Sequence, residues 1–168
     1  MSVRGAGAVG VQLEECTGVP QRWRVAMARE VERVKAVREG PTVLNARTDV
    51  YLLEIGPPEK RYDEALRRLA AFRDAGADCV FAPGVRDPGT IARLVKDLQC
   101  PVNILAGPGS PSIPELQKLG VARVSVGSAD MRATLGLLRR IAAELKSAGT
   151  YTTLEGGILF ADVNRMME

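Results

Sequence analysis

Aliphatic and polar positions alternate along this chain in short runs, and each run is followed by a stretch with helical spacing. In Val9-Gly10-Val11-Gln12-Leu13-Glu14, an extended backbone puts Val11 and Leu13 on one side and Gln12 and Glu14 on the other. A helix over about 22–39 follows, with Trp23, Met27, Val31 and Val34 at helical spacing and Gly40-Pro41 as its stop. The strand 42–49 comes next, then a helix near 62–75 carrying Leu66, Leu69 and Phe72 and ended by Gly76. A third unit pairs 79–83 with a helix bearing Ile91, Leu94, Val95 and Leu98. The fourth joins 102–106 to a short helix around 114–119, closed by Gly120. The fifth joins 124–127 to a long helix with Met131, Leu135, Leu138, Ala142 and Leu145, ending at Gly149. A tail follows, with a Gly156-Gly157 break and one last short helical stretch.

Strands that alternate with helices in this rhythm make right-handed βαβ units and a parallel sheet. In each strand one face is aliphatic. The other is polar or small: Gln12 and Glu14, Asn103 against Val102 and Ile104, Ser125 and Gly127 against Val124 and Val126. An open doubly wound sheet carries helices on both faces and reads as unbroken apolar runs. A barrel with helices outside and a polar mouth at the strand C-termini reads as this chain does. The expected fold class is therefore α/β, a partial (β/α)8 TIM barrel of about five parallel strands. Residues 1–149 form the partial barrel and 150–168 a C-terminal tail with a short helix. Five strands do not close a barrel and leave apolar edges. A truncated upstream sequence, a partner chain or swapped dimer supplying the missing staves, and a compact open sheet all remain open.

Composition narrows the function. The 168 residues carry 26% charged and 46% hydrophobic side chains, as in an ordinary globular protein. Net charge is +3, with Lys and Arg interleaved with Glu and Asp, and only one Trp, three Tyr and three Phe are available for stacking. A nucleic-acid surface is not expected. No run approaches a membrane span, and no long apolar signal core opens the chain. Cys16, Cys79 and Cys100 have no metal-ligand spacing and cannot all pair, which points to a reducing cytoplasm. The absence of histidine removes imidazole acid–base chemistry and serine–histidine triads.

Against that background Asn45-Ala46-Arg47-Thr48-Asp49 stands out, because extension puts Asn45, Arg47 and Asp49 on one side. An amide, a guanidinium and a carboxylate on one strand face suit the wall of a polar cavity, although an ion pair closing a strand end would look the same. Other signals read as structure. Gly107-Pro108-Gly109-Ser110-Pro111-Ser112 has two prolines and no following Lys-Ser/Thr, so it reads as a loop with Ser112 capping the next helix. Ser128-Ala129-Asp130 reads as an N-cap with an acidic first turn. Lys60, Arg61, Arg67 and Arg68 read as a solvated helix side, as do Arg139 and Arg140. Cys79 and Cys100 read as core.

Four segments together resemble the phosphoenolpyruvate mutase/isocitrate lyase superfamily: Gly10–Glu15, Asn45–Asp49, Ala75–Asp78 with Phe81–Gly84, and Pro101–Asn103 through to Gly120–Ser125. They occur in the family's order and cover nearly the whole chain, and Gly10–Glu15 then corresponds to the fourth barrel strand. The resemblance implies a Mg²⁺-dependent lyase or phosphonomutase. Such an enzyme cleaves or rearranges C–C or P–C bonds of small 2-oxo or 2-hydroxy carboxylates through a metal-held enolate. It implies Glu14 as a metal-shell carboxylate, Arg47 as the fork that grips the substrate anion, and Asn103 as a polar residue facing the site. Asn45, Asp49 and Ser125 are further candidates at the same mouth.

Two features depart from the family. The aspartates that carry most of its metal binding lie on strands preceding Gly10. The gating-loop motifs, Lys-Arg-Cys-Gly-His in lyases and Lys-Thr-Asn in the mutase and its hydrolase relatives, are replaced by Cys16-Thr17-Gly18-Val19-Pro20-Gln21-Arg22. Cys16 follows Glu14 too closely to match the lyase cysteine and reads as a small structural residue. Glu15 replaces the family's Asp. The alternative expectation is a non-catalytic, degenerate or truncated homologue that assembles with itself or a partner chain. The partners expected are a small carboxylate and further copies of the chain, in a homo-oligomer without membrane or nucleic acid.

Overall fold

The computed structural model describes residues 9–14, 26–38 and 42–167. Glu15, the Cys16–Arg22 segment, Trp23 and the Gly40-Pro41 stop lie outside them. Among the described residues the order is β1 (Gly10–Glu14), α1 (Ala26–Arg38), β2 (Val43–Arg47), α2 (Pro58–Asp74), β3 (Cys79–Phe81), α3 (Pro88–Leu98), β4 (Val102–Leu105), α4 (Ile113–Lys118) and β5 (Arg123–Ser125). The strands form one parallel sheet in sequence order, β1-β2-β3-β4-β5, with β1 and β5 outermost among the described residues. This is the sheet-and-helix order of a partial (β/α)8 barrel, and it is not closed.

The aliphatic strand face builds the core. Leu44, Ala46, Val80, Val102 and Ile104 are buried there with Val34 of α1, Leu69 and Phe72 of α2, Ile91, Leu94 and Leu98 of α3, and Leu116 of α4. Helices α2 and α3 contribute residues three or four apart, the spacing of one helical face. Local chemistry sets the ends. Asp87 caps α3, its carboxylate accepting from Thr90 N at 2.7 Å and Thr90 Oγ1 at 2.8 Å. The Glu115 carboxylate accepts from Ser112 N at 2.8 Å and Ser112 Oγ at 2.7 Å, fixing the start of α4. Asp78 ties β2 to the start of β3: its carboxylate accepts from Leu44 N at 2.9 Å and its own N–H donates to Leu44 O at 3.0 Å.

Several sequence expectations are corrected. Helix α2 starts at Pro58, ahead of residue 62, because proline preorganises a first turn and Glu59 suits its positive end. Strand β2 stops at Arg47, not residue 49. Asp49 begins a turn, with Leu53 N donating to Asp49 O at 2.9 Å. Arg68 is not on a solvated side: it is buried, and its Nε donates to Glu64 Oε1 at 2.7 Å across one helical turn.

Residues Met1–Val126 form one unit and Gly127–Glu168 a second. The second contains α5 (Ala129–Ser147), a 3₁₀ turn at Thr152–Leu154 and α6 (Phe160–Met166). No residue of α5 is buried. Ser128 precedes α5 without a capping bond from its side chain. Instead its carbonyl accepts from Arg132 N at 2.9 Å. An elbow past the end of α5 is held by Glu144, whose carboxylate accepts from Thr150 Oγ1 at 2.6 Å and from Thr152 N and Thr153 N, both at 2.8 Å. These donors hold the Glu144 carboxyl at about 2.

Candidate functional site

The second face of the sheet collects the polar side chains. Parallel pairing sets Gln12 beside Asn45 and Cys79, and Glu14 beside Arg47, Phe81 and Asn103. Asn103 in turn pairs with Arg123, and Leu105 with Ser125. Paired residues of adjacent strands point to the same side, so one face carries this whole set while the core takes the other.

At the C-terminal end of β2, Arg47 is held from two directions. Its Nε donates to Asp49 Oδ1 at 2.7 Å, and its Nη1 lies 2.6 Å from Glu14 Oε1. The two carboxylates differ in surroundings: the Asp49 side chain is 1% exposed and the Glu14 side chain 43%. Gln12 Nε2 donates to the same Glu14 oxygen at 2.8 Å, and Gln12 Oε1 accepts from Asn45 Nδ2 at 3.2 Å. A continuous polar chain therefore runs Asn45–Gln12–Glu14–Arg47–Asp49. Asn45 is buried, and its Oδ1 accepts no hydrogen bond from the described residues.

A second group lies two strands away. Buried Asn103 and half-buried Ser125 bond reciprocally, Asn103 Nδ2 to Ser125 Oγ at 3.0 Å and Ser125 Oγ to Asn103 Oδ1 at 3.1 Å. Phe81, paired with both Arg47 and Asn103, stands between the groups. The six expected residues thus fall into a set linked to the guanidinium (Glu14, Asn45, Arg47, Asp49) and a neutral pair (Asn103, Ser125).

Two participants were not singled out from the sequence as site residues. Gln12 links the strands, and only the pairing register exposes its role. Cys79 was expected to be buried and is; its register with Asn45 puts it on the same sheet face as the polar set, where burial pushes its thiol up to about 11. A thiol held that far above neutrality is no nucleophile.

The residues present do not fit a magnesium ion. Glu14 Oε1 is committed to Arg47 and Gln12, Asp49 to the same guanidinium, and no group of three or more Asp, Glu, His or Cys residues gathers among the described residues. What the arrangement offers is a planar cationic fork with one buried and one part-exposed counter-charge, on the same sheet face as amide and hydroxyl groups.

Residues 1–146 match the family described as phosphoenolpyruvate phosphomutase. This chain belongs to that family. It is 35% identical over 126 residues to an uncharacterized protein of Mycobacterium tuberculosis, an alignment covering 75% of this chain and 47% of that one. It is 28% identical over 124 residues to oxaloacetate decarboxylase 2 of Pseudomonas fluorescens, covering 72% and 42%. A solved structure described as a lyase/mutase from Burkholderia cenocepacia superposes with a TM-score of 0.89 at 38% identity, over 98% of this chain and 60% of the other. The chain spans about half the length of the curated relatives it matches.

Proposed function

We propose that this phosphoenolpyruvate phosphomutase family chain carries the anion-holding part of a lyase- or mutase-type site for a small 2-oxo or 2-hydroxy carboxylate. Arg47 is the anchor. The observation that carries this reading is the geometry of its guanidinium: Nε is fixed by buried Asp49, so the plane of the fork is set before any ligand arrives. A preoriented fork binds a carboxylate bidentately with little further ordering. Asn103 and Ser125 supply donors and acceptors for a ligand's oxo or hydroxy oxygen, once their mutual bonds are exchanged for bonds to it. The similarity to an oxaloacetate decarboxylase supports a 2-oxo dicarboxylate as substrate class. Magnesium enters no step here, since the described residues do not supply its ligands. A reducing cytoplasmic setting suits the free thiols of Cys79 and Cys100.

A non-catalytic, self-assembling homologue is the second reading. It is favoured by α5, which buries none of its residues and leaves Met131, Leu135 and Leu138 more than half exposed.

Titration with oxalate, a planar dicarboxylate that mimics a pyruvate enolate, separates the two. Weak, millimolar-range binding by the unaltered chain that disappears in Arg47→Ala is the expected result, read by amide NMR shifts. Binding that survives the substitution removes Arg47 as the anchor. No binding at all, with concentration-dependent self-association, favours the second reading.

A further inference from the structure

We infer that Gly84 is a positioning residue for Arg47: its missing side chain lets the loop after β3 brace the turn that presents Asp49 to the guanidinium. This rests on the reading of Arg47 as the anion anchor and deepens it. Contact with β3 runs on past β2 to Thr48, whose N–H donates to Phe81 O at 3.0 Å. Asp49 then opens the turn. Its carbonyl accepts from Leu53 N at 2.9 Å, and the Val50 carbonyl accepts from Ile55 N at 2.8 Å. The Tyr51–Leu52 peptide lies within that turn, and Gly84 meets the turn there. A Cβ on Gly84 would lie 2.9 Å from both Tyr51 C and Leu52 N and 3.1 Å from Leu52 Cα, all backbone atoms, and Gly84 has φ +94°. The two loops meet more closely than a side chain permits.

The neighbours set which loop yields to an added side chain. Ala82 and Pro83 before Gly84 and Val85 after it are buried, and the Asp87 cap fixes the start of α3 just beyond. The loop after β3 is therefore the firm side. Leu52, Leu53 and Glu54 are exposed, so a push on the Tyr51–Leu52 peptide displaces the turn. Fully buried Val50 keeps that displacement small. It still reaches the fork. Leu53 N is bonded to Asp49 O, and Asp49 Oδ1 holds Arg47 Nε at 2.7 Å in a bond that weakens steeply as it leaves line. Gly84 thus acts on the plane of the fork through Asp49.

The test compares variants of the full chain by two readouts, with folding of each checked from its amide NMR spectrum. One readout is the Arg47 Nε–H signal, assigned by its loss in Arg47→Lys. The other is affinity for sodium oxalate. Gly84→Ala adds both the Cβ contact and the strain of a positive φ. Gly84→Asn adds the contact but tolerates that φ better, so it serves where the alanine variant does not fold. Gly56→Ala adds the strain without the contact, since Gly56 has φ +75° and nothing within 4 Å of an added Cβ. The inference expects both Gly84 variants to move the Nε–H signal towards those of unbonded arginines and to speed its exchange with solvent. Oxalate binding should weaken by about three- to tenfold, a fraction of what misplacing a binding group can cost. Gly56→Ala should leave both readouts as they are in the unaltered chain. If the Gly84 variants lose stability but keep signal and affinity, the inference fails and the anchor stands. If Gly56→Ala changes the readouts as much, strain is the cause and the brace is overturned. If oxalate binding is absent or survives Arg47→Ala, the anchor reading fails; the Nε–H signal then decides alone, a shift in the Gly84 variants upholding the brace and an unmoved signal overturning it.

Discussion

The unequal burial of the two carboxylates on Arg47 predicts unequal coupling energies, measurable by two double-mutant cycles sharing Arg47→Ala. The Arg47 Nε bond to Asp49 is charge-assisted, 2.7 Å long, and ends on a carboxylate that is almost completely buried. Hydrogen bonds to charged groups contribute about 1.5–3 kcal/mol, and the buried partner cannot recover its hydration when the donor is deleted. The contact to Glu14 is slightly shorter, 2.6 Å, but its carboxylate is exposed enough to be screened, which brings it to about 0.2–1 kcal/mol. Distance alone would rank the pairs the other way. The expected couplings are therefore about 1.5–3 kcal/mol for Arg47 with Asp49→Ala, and under about 1 kcal/mol for Arg47 with Glu14→Ala. Urea unfolding followed by far-ultraviolet circular dichroism at fixed protein concentration gives both, provided the m-values of the variants agree. A Glu14 coupling equal to or larger than that of Asp49 would refute the reasoning. It would mean that solvent does not weaken the Glu14 contact.

Two further predictions concern the scaffold. Gly84 has φ +94°, and an added Cβ would lie 2.9 Å from backbone atoms of both Tyr51 and Leu52, so Gly84→Ala should cost about 2 kcal/mol or more in urea unfolding; a change under about 0.5 kcal/mol would show that the loop after β3 relaxes freely. Glu144 is held at about 2, below its ordinary 4.5, so its contribution to the elbow is fully present above about 4.5 and is lost as pH falls through about 2. A ¹³C-carboxylate NMR titration should give a Glu144 midpoint well below those of unbonded glutamates, and Glu144→Gln should speed amide exchange at Thr152 and Thr153; a midpoint near 4.5 would remove the elbow from solution.

The sheet was legible in the sequence because one physical signal carries it. Aliphatic positions two apart in strands and three or four apart in helices bury themselves wherever they fall, and the side chains at 44, 46, 80, 102 and 104 lie together with the stripes of α2 and α3. Boundaries were less legible. Burial persists past β2 through Thr48, Asp49 and Val50, yet the backbone turns at Asp49, so burial pattern and strand end do not coincide. Arg68 shows the opposite failure. As an arginine beside another arginine it reads as surface, and only the packing of α2 buries it while Glu64, one turn earlier, accepts its Nε–H.

For the site, alternation within β2 was enough to put Asn45 and Arg47 on one face, but it says nothing about which residue of β1 stands beside which residue of β2. That pairing register turns Gln12 from one more polar residue on a strand into the link between Asn45 and Glu14, and it puts Glu14 rather than Gln12 against the guanidinium. A slip of one residue would send Leu13 to Arg47 and Glu14 to the core side, with no change in the sequence of either strand. Solvent access is no more legible: Glu14 and Asp49 are both carboxylates within reach of one arginine, and the sequence treats them alike. The fold separates them, burying Asp49 just past β2 and leaving Glu14, at the end of β1, 43% exposed. Solvent around Glu14 makes it the weaker structural partner of the two, although its contact with the guanidinium is the shorter.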